Sequence, residues 1–328
     1  MPSPSRNATQ KQPLEMLFNA MYHGKRSFTD FALAEVTGNV GRQTSNRAGK
    51  ARKFLIPNDK LKGCHDFIRL FLLDYLPIND QVVFSYRKGV NAYDAVKVHV
   101  NSKFFFVCDI ADFFPSLGRA RIKSTLSTAA EGCPIADINV WLERIVDLVC
   151  VDDTLPMGFS TSPSISNAAL LPFDNSLQAR CTERGLMFTR YSDDIIVSGA
   201  NRAALDGIEG VVAICLKDAM NDELKLHPSK SKYFHGGIKI KLLGMVLLPN
   251  GIITVDTSVK KEIEILIHFY LTDREKLTDR VGGSLQSAEA RLAGLINYVN
   301  TVDQNYLDKL CRKFGSTVVD YFLHRSFA

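Results

Sequence analysis

The sequence has no long hydrophobic run and no secretion signal. Its apolar stretch at residues 67–73 is interrupted by Arg69, whereas a membrane-spanning helix needs about 20 consecutive apolar residues. The first residues, MPSPSR, are not followed by the apolar segment that a signal peptide carries. We therefore expect a protein that has no contact with membranes, is not exported and works in the cytoplasm.

Cysteine pairs with metal-binding spacing are also missing. The 7 cysteines are scattered and form no Cys-x-x-Cys motif, which excludes the usual cysteine zinc sites and is typical of reduced thiols. Gly49-Lys50 resembles the end of a phosphate-binding P-loop. However, Thr44 stands where that loop needs its first glycine, and Ala51 where it needs serine or threonine. We reject a P-loop.

The composition is that of a globular protein, and the charge is distributed unevenly along the sequence. Its 328 residues are 46% hydrophobic and 23% charged, which excludes wholesale disorder and allows two or three packed subdomains. Residues 1–108 contain 16 Lys and Arg against 8 Asp and Glu, whereas residues 109–200 contain 7 against 12. A basic first third favours contacts with a polyanion, and an acidic middle favours cation binding.

The pattern of apolar residues predicts helices and strands in one α+β chain. Helical spacing is expected over residues 14–76, 119–130, 137–151, 163–184, 202–226 and 258–327. Strands are expected over residues 104–110, 186–191, 195–198, 239–248 and 252–255. The strands at 186–191 and 195–198 should form a hairpin with Ser192, Asp193 and Asp194 at its tip, because Ser and Asp favour turns.

Three carboxylates lie at the ends of these predicted buried strands. Asp109 ends one strand, and Asp193 and Asp194 occupy the hairpin tip. Two carboxylates about 4 Å apart repel each other by about 4 kcal/mol at an effective dielectric constant of 20. A hard cation such as Mg²⁺ relieves this repulsion, and two such ions can hold the attacking and leaving oxygens of a phosphoryl transfer. The alternative is a polar turn without a bound metal.

Three motifs around these acids occur in a characteristic order. They are Asp109–Ser116 (DIADFFPS), Leu155–Pro163 (LPMGFSTSP) and Tyr191–Asp194 (YSDD). They resemble the palm motifs of reverse transcriptases, especially the bacterial retron and defence-associated branch. Weaker similarities to fingers motifs, a palm lysine, the primer grip and the thumb lie at residues 52–57, 86–89, 227–230, 243–245 and 291–310.

The resemblance implies a right-hand polymerase with fingers, palm and thumb. Residues 1–13 would be a flexible N-terminus, and residues 14–102 the fingers. Residues 103–248 would form the palm, an antiparallel sheet with packed helices, the catalytic aspartates and some inserted fingers elements. Residues 249–328 would form a helical thumb.

The implied activity is RNA-directed DNA synthesis from dNTPs on a dedicated non-coding RNA, in anti-phage defence. Two Mg²⁺ ions, with Mn²⁺ as a substitute, would serve as cofactors. An effector or toxin protein, or a second copy of the chain, would be a further partner.

The resemblance also assigns roles to single residues. Asp109, Asp193 and Asp194 would be catalytic and bind the metals, together with the backbone carbonyl of Ile110. The nucleotide-binding residues would be Arg87, Lys88, Phe114, Met157 and Lys230, with the Phe114 ring excluding a 2′-hydroxyl. The nucleic-acid-binding residues would be Arg42, Arg47, Lys50, Arg52, Lys53, Gly244, Lys260, Lys261, Arg291, Lys309, Arg312 and Lys313.

The sequence departs from the family pattern at several positions, and two alternatives stay open. Met157 stands where family members often have glutamine, and Ser192 where retron members usually have alanine. A template-independent DNA polymerase of the same fold is one alternative. The other is an RNA-binding scaffold in a defence complex whose polymerase site no longer acts.

Overall fold

The structure, a computed structural model, describes residues 10–47 and 50–324; the side chains of residues 46–52 are outside the description. In this part of the chain the α-helices are α1 (Leu14–Tyr22), α2 (Phe28–Leu33), α3 (Asp59–Phe71), α4 (Ala92–Lys97), α5 (Arg119–Ser127), α6 (Ile138–Val149), α7 (Ser162–Ala169), α8 (Leu171–Glu183), α9 (Ile208–Met220), α10 (Thr257–Thr272), α11 (Arg274–Val281), α12 (Leu285–Val302), α13 (Gln304–Phe314) and α14 (Ser316–His324). The strands are β1 (Val40–Arg47), β2 (Lys50–Pro57), β3 (Phe104–Asp109), β4 (Met187–Tyr191), β5 (Asp194–Gly199), β6 (Lys232–His235), β7 (Ile240–Leu242), β8 (Met245–Leu247) and β9 (Ile253–Val255).

The strands form three sheets in the described residues. β1 and β2 make an antiparallel pair, and β7, β8 and β9 make an antiparallel sheet in that order. The remaining sheet has the order β4-β5-β3-β6. Because β4 and β5 are neighbours joined by only two residues, they form an antiparallel hairpin. The predicted α+β class is confirmed, and so is the predicted hairpin formed by β4 and β5.

Three predicted elements differ from the structure. The predicted helical region over residues 14–76 contains the β1–β2 pair, whose many polar residues give no apolar period to detect. The predicted helix over residues 163–184 is divided into α7 and α8, since Pro172 occupies the first turn of α8 and proline disrupts a helix interior. The predicted strand over residues 239–248 turns back at Leu243 and Gly244, both at positive φ.

The chain divides into two compact units. The first contains the described residues of 1–89, 106–197 and 206–232. Its N-terminal helices pack through aromatic rings: Phe18 lies 5.6 Å from Phe31 and 5.2 Å from Phe67 between ring centroids. All three phenylalanines are buried, so helices α1, α2 and α3 share one apolar core.

The second unit contains residues 90–105, 198–205 and the described part of 233–328. Its helix α12 presents Leu292, Ile296 and Val299 to the interior, where they are fully buried. The spacing of three or four residues gives a single apolar helix face. The boundaries predicted for fingers, palm and thumb remain predictions.

The structure also bears on membrane contact and on the thiols. Among the described residues, no helix has the length and apolar character needed to cross a bilayer. The cysteines are free, and all except Cys311 are buried.

Candidate active site

Asp109 and Asp193 meet at the ends of neighbouring strands in the first unit. The Ile110 N–H donates to the Asp193 carbonyl oxygen at 3.0 Å, and the His227 N–H donates to the Asp109 carbonyl oxygen at 2.7 Å. The Asp193 carboxyl lies within hydrogen-bonding range of the Asp109 carboxyl. The backbone therefore holds the buried Asp109 beside the partly buried Asp193.

The charges of this cluster act strongly on one another. Burial, and then the neighbouring Asp109, raise the pKa of Asp193. Burial, and then Asp193 and Asp109, raise the pKa of Asp194 to about 6. The Lys230 ammonium forms an ion pair with the Asp109 carboxylate. The cluster thus has more negative charge than this one lysine balances.

The chemistry of these side chains suits a hard cation, although they do not form a complete metal site. In the described ranges, no group of three or more His, Cys, Asp and Glu side chains is arranged to hold a metal ion. The structure provides a contacting pair, Asp109 and Asp193, with Asp194 in electrostatic range. Carboxylate oxygens are ligands that Mg²⁺ prefers, and a bound cation would relieve the repulsion between these acids.

Ile110 is placed next to both acids. It is buried and forms an antiparallel bridge with Leu226. The two hydrogen bonds beside this bridge run from the Ala111 N–H to the Lys225 carbonyl oxygen and from the His227 N–H to the Asp109 carbonyl oxygen. The carbonyl of Ile110 takes part in neither of them. Its assignment as a metal ligand remains a prediction.

The two phenylalanines after Asp109 occupy different environments. Phe113 is 4% exposed, whereas Phe114 is partly exposed, and the two ring centroids are 5.2 Å apart. Phe113 therefore packs into the core, whereas Phe114 lies partly at the surface. The role of Phe114 as a sugar gate remains a prediction.

The loop that carries Met157 is attached to strand β2. The Leu55 N–H donates to the Met157 carbonyl oxygen at 2.8 Å. Gly158 follows with φ +108°, and a Cβ atom on it would lie 2.4 Å from the Leu55 carbonyl oxygen. Only glycine fits here, because the backbone conformation and the close approach both exclude a side chain. The Met157 side chain is partly exposed, and its nucleotide contact remains a prediction.

Gly158→Ala is expected to lower the free energy of unfolding by about 3 kcal/mol or more, from backbone strain and overpacking together. Gly210→Ala is the matched control in the same unit. Gly210 lies within α9 with open space around its Cα atom, so alanine should stabilise the protein by about 0.5–1 kcal/mol. Urea denaturation of both variants measures this, and equal effects of the two would contradict the close approach at Gly158.

Arg87 and Lys88 differ in their hydrogen bonds to the rest of the protein. The Arg87 guanidinium donates to the Asp80 and Val83 carbonyl oxygens at 2.8 and 2.5 Å, whereas Lys88 is exposed. These hydrogen bonds hold Arg87 against its own loop. The triphosphate contacts of both residues remain predictions, and the structure favours Lys88 as the more accessible charge.

The basic residues of the first unit lie along the β1–β2 pair. Arg42 is paired in register with Leu55, and Lys53 with Thr44. The side chains of both are exposed, as a contact with phosphates requires. The side chains of three further predicted contacts fall outside the described residues: Arg47, Lys50 and Arg52.

The predicted nucleic-acid contacts of the second unit fall into two groups. Several are engaged within the unit. The Lys260 ammonium binds Asp303 at 2.7 Å, Arg291 donates to Glu262 at 3.0 Å, Lys313 binds Glu264 at 2.6 Å, and the Tyr298 hydroxyl donates to the Gly244 carbonyl oxygen at 3.2 Å. The second group is Lys261, Lys309 and Arg312, whose side chains are exposed. Arg291 and Lys313 are also exposed, although each is ion-paired.

Lys260 is the least available of these lysines. Its side chain is 24% exposed, and its ammonium also lies 4.4 Å from the centroid of the Tyr306 ring. These contacts favour a structural role for Lys260.

A buried polar network beneath the hairpin was not predicted. Arg190 is 0% exposed and makes two hydrogen bonds of 2.7 Å to Asp174. Its guanidinium also donates to the Asn167 side-chain oxygen at 3.1 Å. Buried charges are rare unless paired. The one sequence signal was an arginine within the predicted strand at residues 186–191, whose other residues are mostly apolar.

The chain is similar to known proteins over most of its length. The family model described as reverse transcriptase (RNA-dependent DNA polymerase) matches residues 42–247. The Retron Ec73 reverse transcriptase of Escherichia coli is 25% identical over 285 residues, covering 82% of this chain and 85% of that protein. The Retron Mx65 reverse transcriptase of Myxococcus xanthus is 25% identical over 279 residues, covering 81% of this chain and 62% of that protein. The chain therefore spans less than two thirds of the Myxococcus protein.

Similarity to solved structures is weaker. A telomerase from Candida albicans, in complex with a fragment of telomeric RNA, aligns with a TM-score of 0.48 and 12% identity. This alignment covers 85% of the chain and 55% of the telomerase chain.

Proposed function

Because this chain belongs to the reverse transcriptase (RNA-dependent DNA polymerase) family, we propose that it synthesises DNA on an RNA template by metal-dependent nucleotidyl transfer. The observation that carries this proposal is the contact between Asp109 and Asp193, with Asp194 beside them, inside the matched region. An acidic cluster of this kind is what a polymerase needs beside a primer end and a triphosphate.

We assign the reacting groups as follows. Asp109 and Asp193, with Asp194 and the Ile110 carbonyl, would hold Mg²⁺ or Mn²⁺, which lowers the pKa of the primer hydroxyl and neutralises the triphosphate when bound. Lys230, already paired with Asp109, would balance negative charge near the departing pyrophosphate. Lys88 would provide a point charge for the triphosphate.

The template and the biological setting are inferred from the relatives. Several of them are named retron reverse transcriptases, so we propose a dedicated non-coding RNA as template and a role in anti-phage defence in the cytoplasm. The exposed basic side chains of the β1–β2 pair, Arg42 and Lys53, would bind nucleic-acid phosphates.

Purification with bound nucleic acid tests this proposal. The full chain, expressed with its genomic flanks, should copurify with one RNA species and extend it with DNA when Mg²⁺ and dNTPs are added. Sequencing of RNA and product should show that the DNA is complementary to the RNA. A product unrelated to the RNA would instead establish template-independent synthesis. If the protein makes no DNA but still binds the RNA and still protects against phage, it acts as a scaffold.

Phe114→Val is expected to weaken discrimination against ribonucleotides by about 10- to 100-fold, because the smaller side chain leaves room for a 2′-hydroxyl. The ratio of kcat/KM for dNTP and rNTP incorporation measures this. Phe113→Leu is the control, since Phe113 is buried in the core and should leave the ratio unchanged. An unchanged ratio in Phe114→Val would remove Phe114 from the sugar site.

A further inference from the structure

Ser192, the residue before the two aspartates of the hairpin, has an unusual backbone. Its φ is +60°, in the left-handed region that residues with a side chain seldom adopt. Such a conformation persists only where the surrounding structure determines it, and it is found most often at functional sites. The contacts of Ser192 are therefore informative.

Three side chains hold Ser192, and we call Ser85, Tyr86 and Arg190 the Ser192 clamp. The Ser192 N–H donates to the Ser85 hydroxyl oxygen at 2.8 Å. The Arg190 guanidinium donates to the Ser192 carbonyl oxygen at 3.0 Å. The Tyr86 and Ser192 hydroxyl oxygens are 2.9 Å apart. Each polar group of Ser192 thus has a partner from the clamp.

A second layer fixes the clamp itself. Asn167 donates from its side-chain nitrogen to the Ser85 carbonyl oxygen at 2.9 Å and accepts from Arg190 at 3.1 Å. Asp174 binds the other side of the Arg190 guanidinium. Ser85, Asn167, Asp174 and Arg190 are each at most 2% exposed. Two of the three clamp residues, Ser85 and Arg190, are therefore supported from within the core.

Stability alone does not account for this arrangement. A buried ionic and polar network is often no more stable than a well-packed apolar core of the same volume. Here all three clamp contacts converge on the one residue that precedes Asp193 and Asp194. Groups that position reacting side chains must hold them to within a fraction of an ångström.

We propose that Ser85 and Tyr86 are positioning residues of the polymerase site: by binding the Ser192 N–H and hydroxyl, they set where the Asp193 carboxyl lies against Asp109. The inference rests on the proposed function of these aspartates. Ser85 contributes more to this positioning than Tyr86, because its hydroxyl binds the Ser192 backbone. Removing that hydroxyl leaves a buried N–H without a partner. Tyr86 binds only the Ser192 side chain, and the Tyr86 residue is 48% exposed.

The test compares three single variants of the full chain. Ser85→Ala should lower kcat for dNTP incorporation by about 10- to 100-fold with little change in KM for the template–primer. It should also weaken Mn²⁺ binding, followed by electron paramagnetic resonance without substrate, by at least about threefold. Tyr86→Phe, which retains the ring, should act in the same direction with a smaller effect. Ser166→Ala is the control.

Ser166 is a suitable control because it is equally buried but donates only to the Pro163 carbonyl oxygen, within its own helix. Its removal should change neither kcat nor Mn²⁺ binding. Wild-type kcat and Mn²⁺ binding in both Ser85→Ala and Tyr86→Phe would overturn the inference, and so would equal losses in Ser166→Ala.

The metal measurement also separates this inference from the proposed function. A wild-type chain that binds Mn²⁺ but makes no DNA would contradict the polymerase assignment. Weaker Mn²⁺ binding by Ser85→Ala would still support the clamp in that case. If Ser85→Ala does not fold, Tyr86→Phe, altered at a half-exposed residue, decides the question alone.

Discussion

Asp193→Asn is expected to abolish DNA synthesis while the folded protein becomes no less stable. The Asp193 carboxyl is partly buried beside that of Asp109, and burial, followed by this neighbour, raises its pKa. An amide of the same shape removes one charge of a repelling pair, so the melting temperature should stay the same or rise. The loss of a metal-binding carboxylate should lower kcat by at least about 1,000-fold, which corresponds to about 4 kcal/mol.

Primer extension and thermal unfolding together measure this prediction. Asp112→Asn is the matched control, because Asp112 is an exposed aspartate of the same motif. Its backbone lies at φ +44°, a conformation that asparagine tolerates well. It should keep wild-type activity. Full DNA synthesis by Asp193→Asn would refute the assignment of the metal-binding pair.

Asp174→Ala is expected to cause the largest loss of stability, about 3–5 kcal/mol, since it leaves the Arg190 charge buried without a counter-charge. Both side chains are 0% exposed, so water cannot compensate. Urea denaturation measures the loss. The double variant Asp174→Leu/Arg190→Met should recover most of it, because apolar side chains of similar volume replace the pair.

The double variant also separates folding from catalysis. It removes the guanidinium that donates to the Ser192 carbonyl oxygen, so a stable double variant should remain poor in DNA synthesis. If the double variant lost as much stability as Asp174→Leu and Arg190→Met lose together as single variants, the two residues would not be energetically coupled.

Much of the fold could be predicted because local patterns were strong. The apolar, aromatic-rich run predicted as a strand over residues 104–110 formed β3, and the turn formers at residues 192–194 lie at a hairpin. The resemblance to reverse transcriptases is confirmed by the family match over residues 42–247. The β1–β2 pair was missed because strands with many polar residues lack the alternation that distinguishes a half-buried strand.

The candidate site could be predicted only in part. The order of the three motifs along the chain identified Asp109 and Asp193, and the structure brings these two residues together. The contact of Lys230 with Asp109 and the burial of Arg190 depend on packing between segments distant in sequence. Charged residues usually lie at the surface. Although Arg190 stands within a predicted strand, nothing in a single sequence marks Asp174 as its buried partner.

The network behind Ser192 also limits how this chain could be recombined with a relative. It joins Ser85, the helix residues Asn167 and Asp174, and Arg190. A chimaera with one junction between residues 90 and 160 would take Ser85 from one parent and its three partners from the other. Unless both parents have the same residues at these four positions, the hybrid would lack some of the hydrogen bonds of the network. Crossover points before residue 80 or after residue 200 keep the set intact.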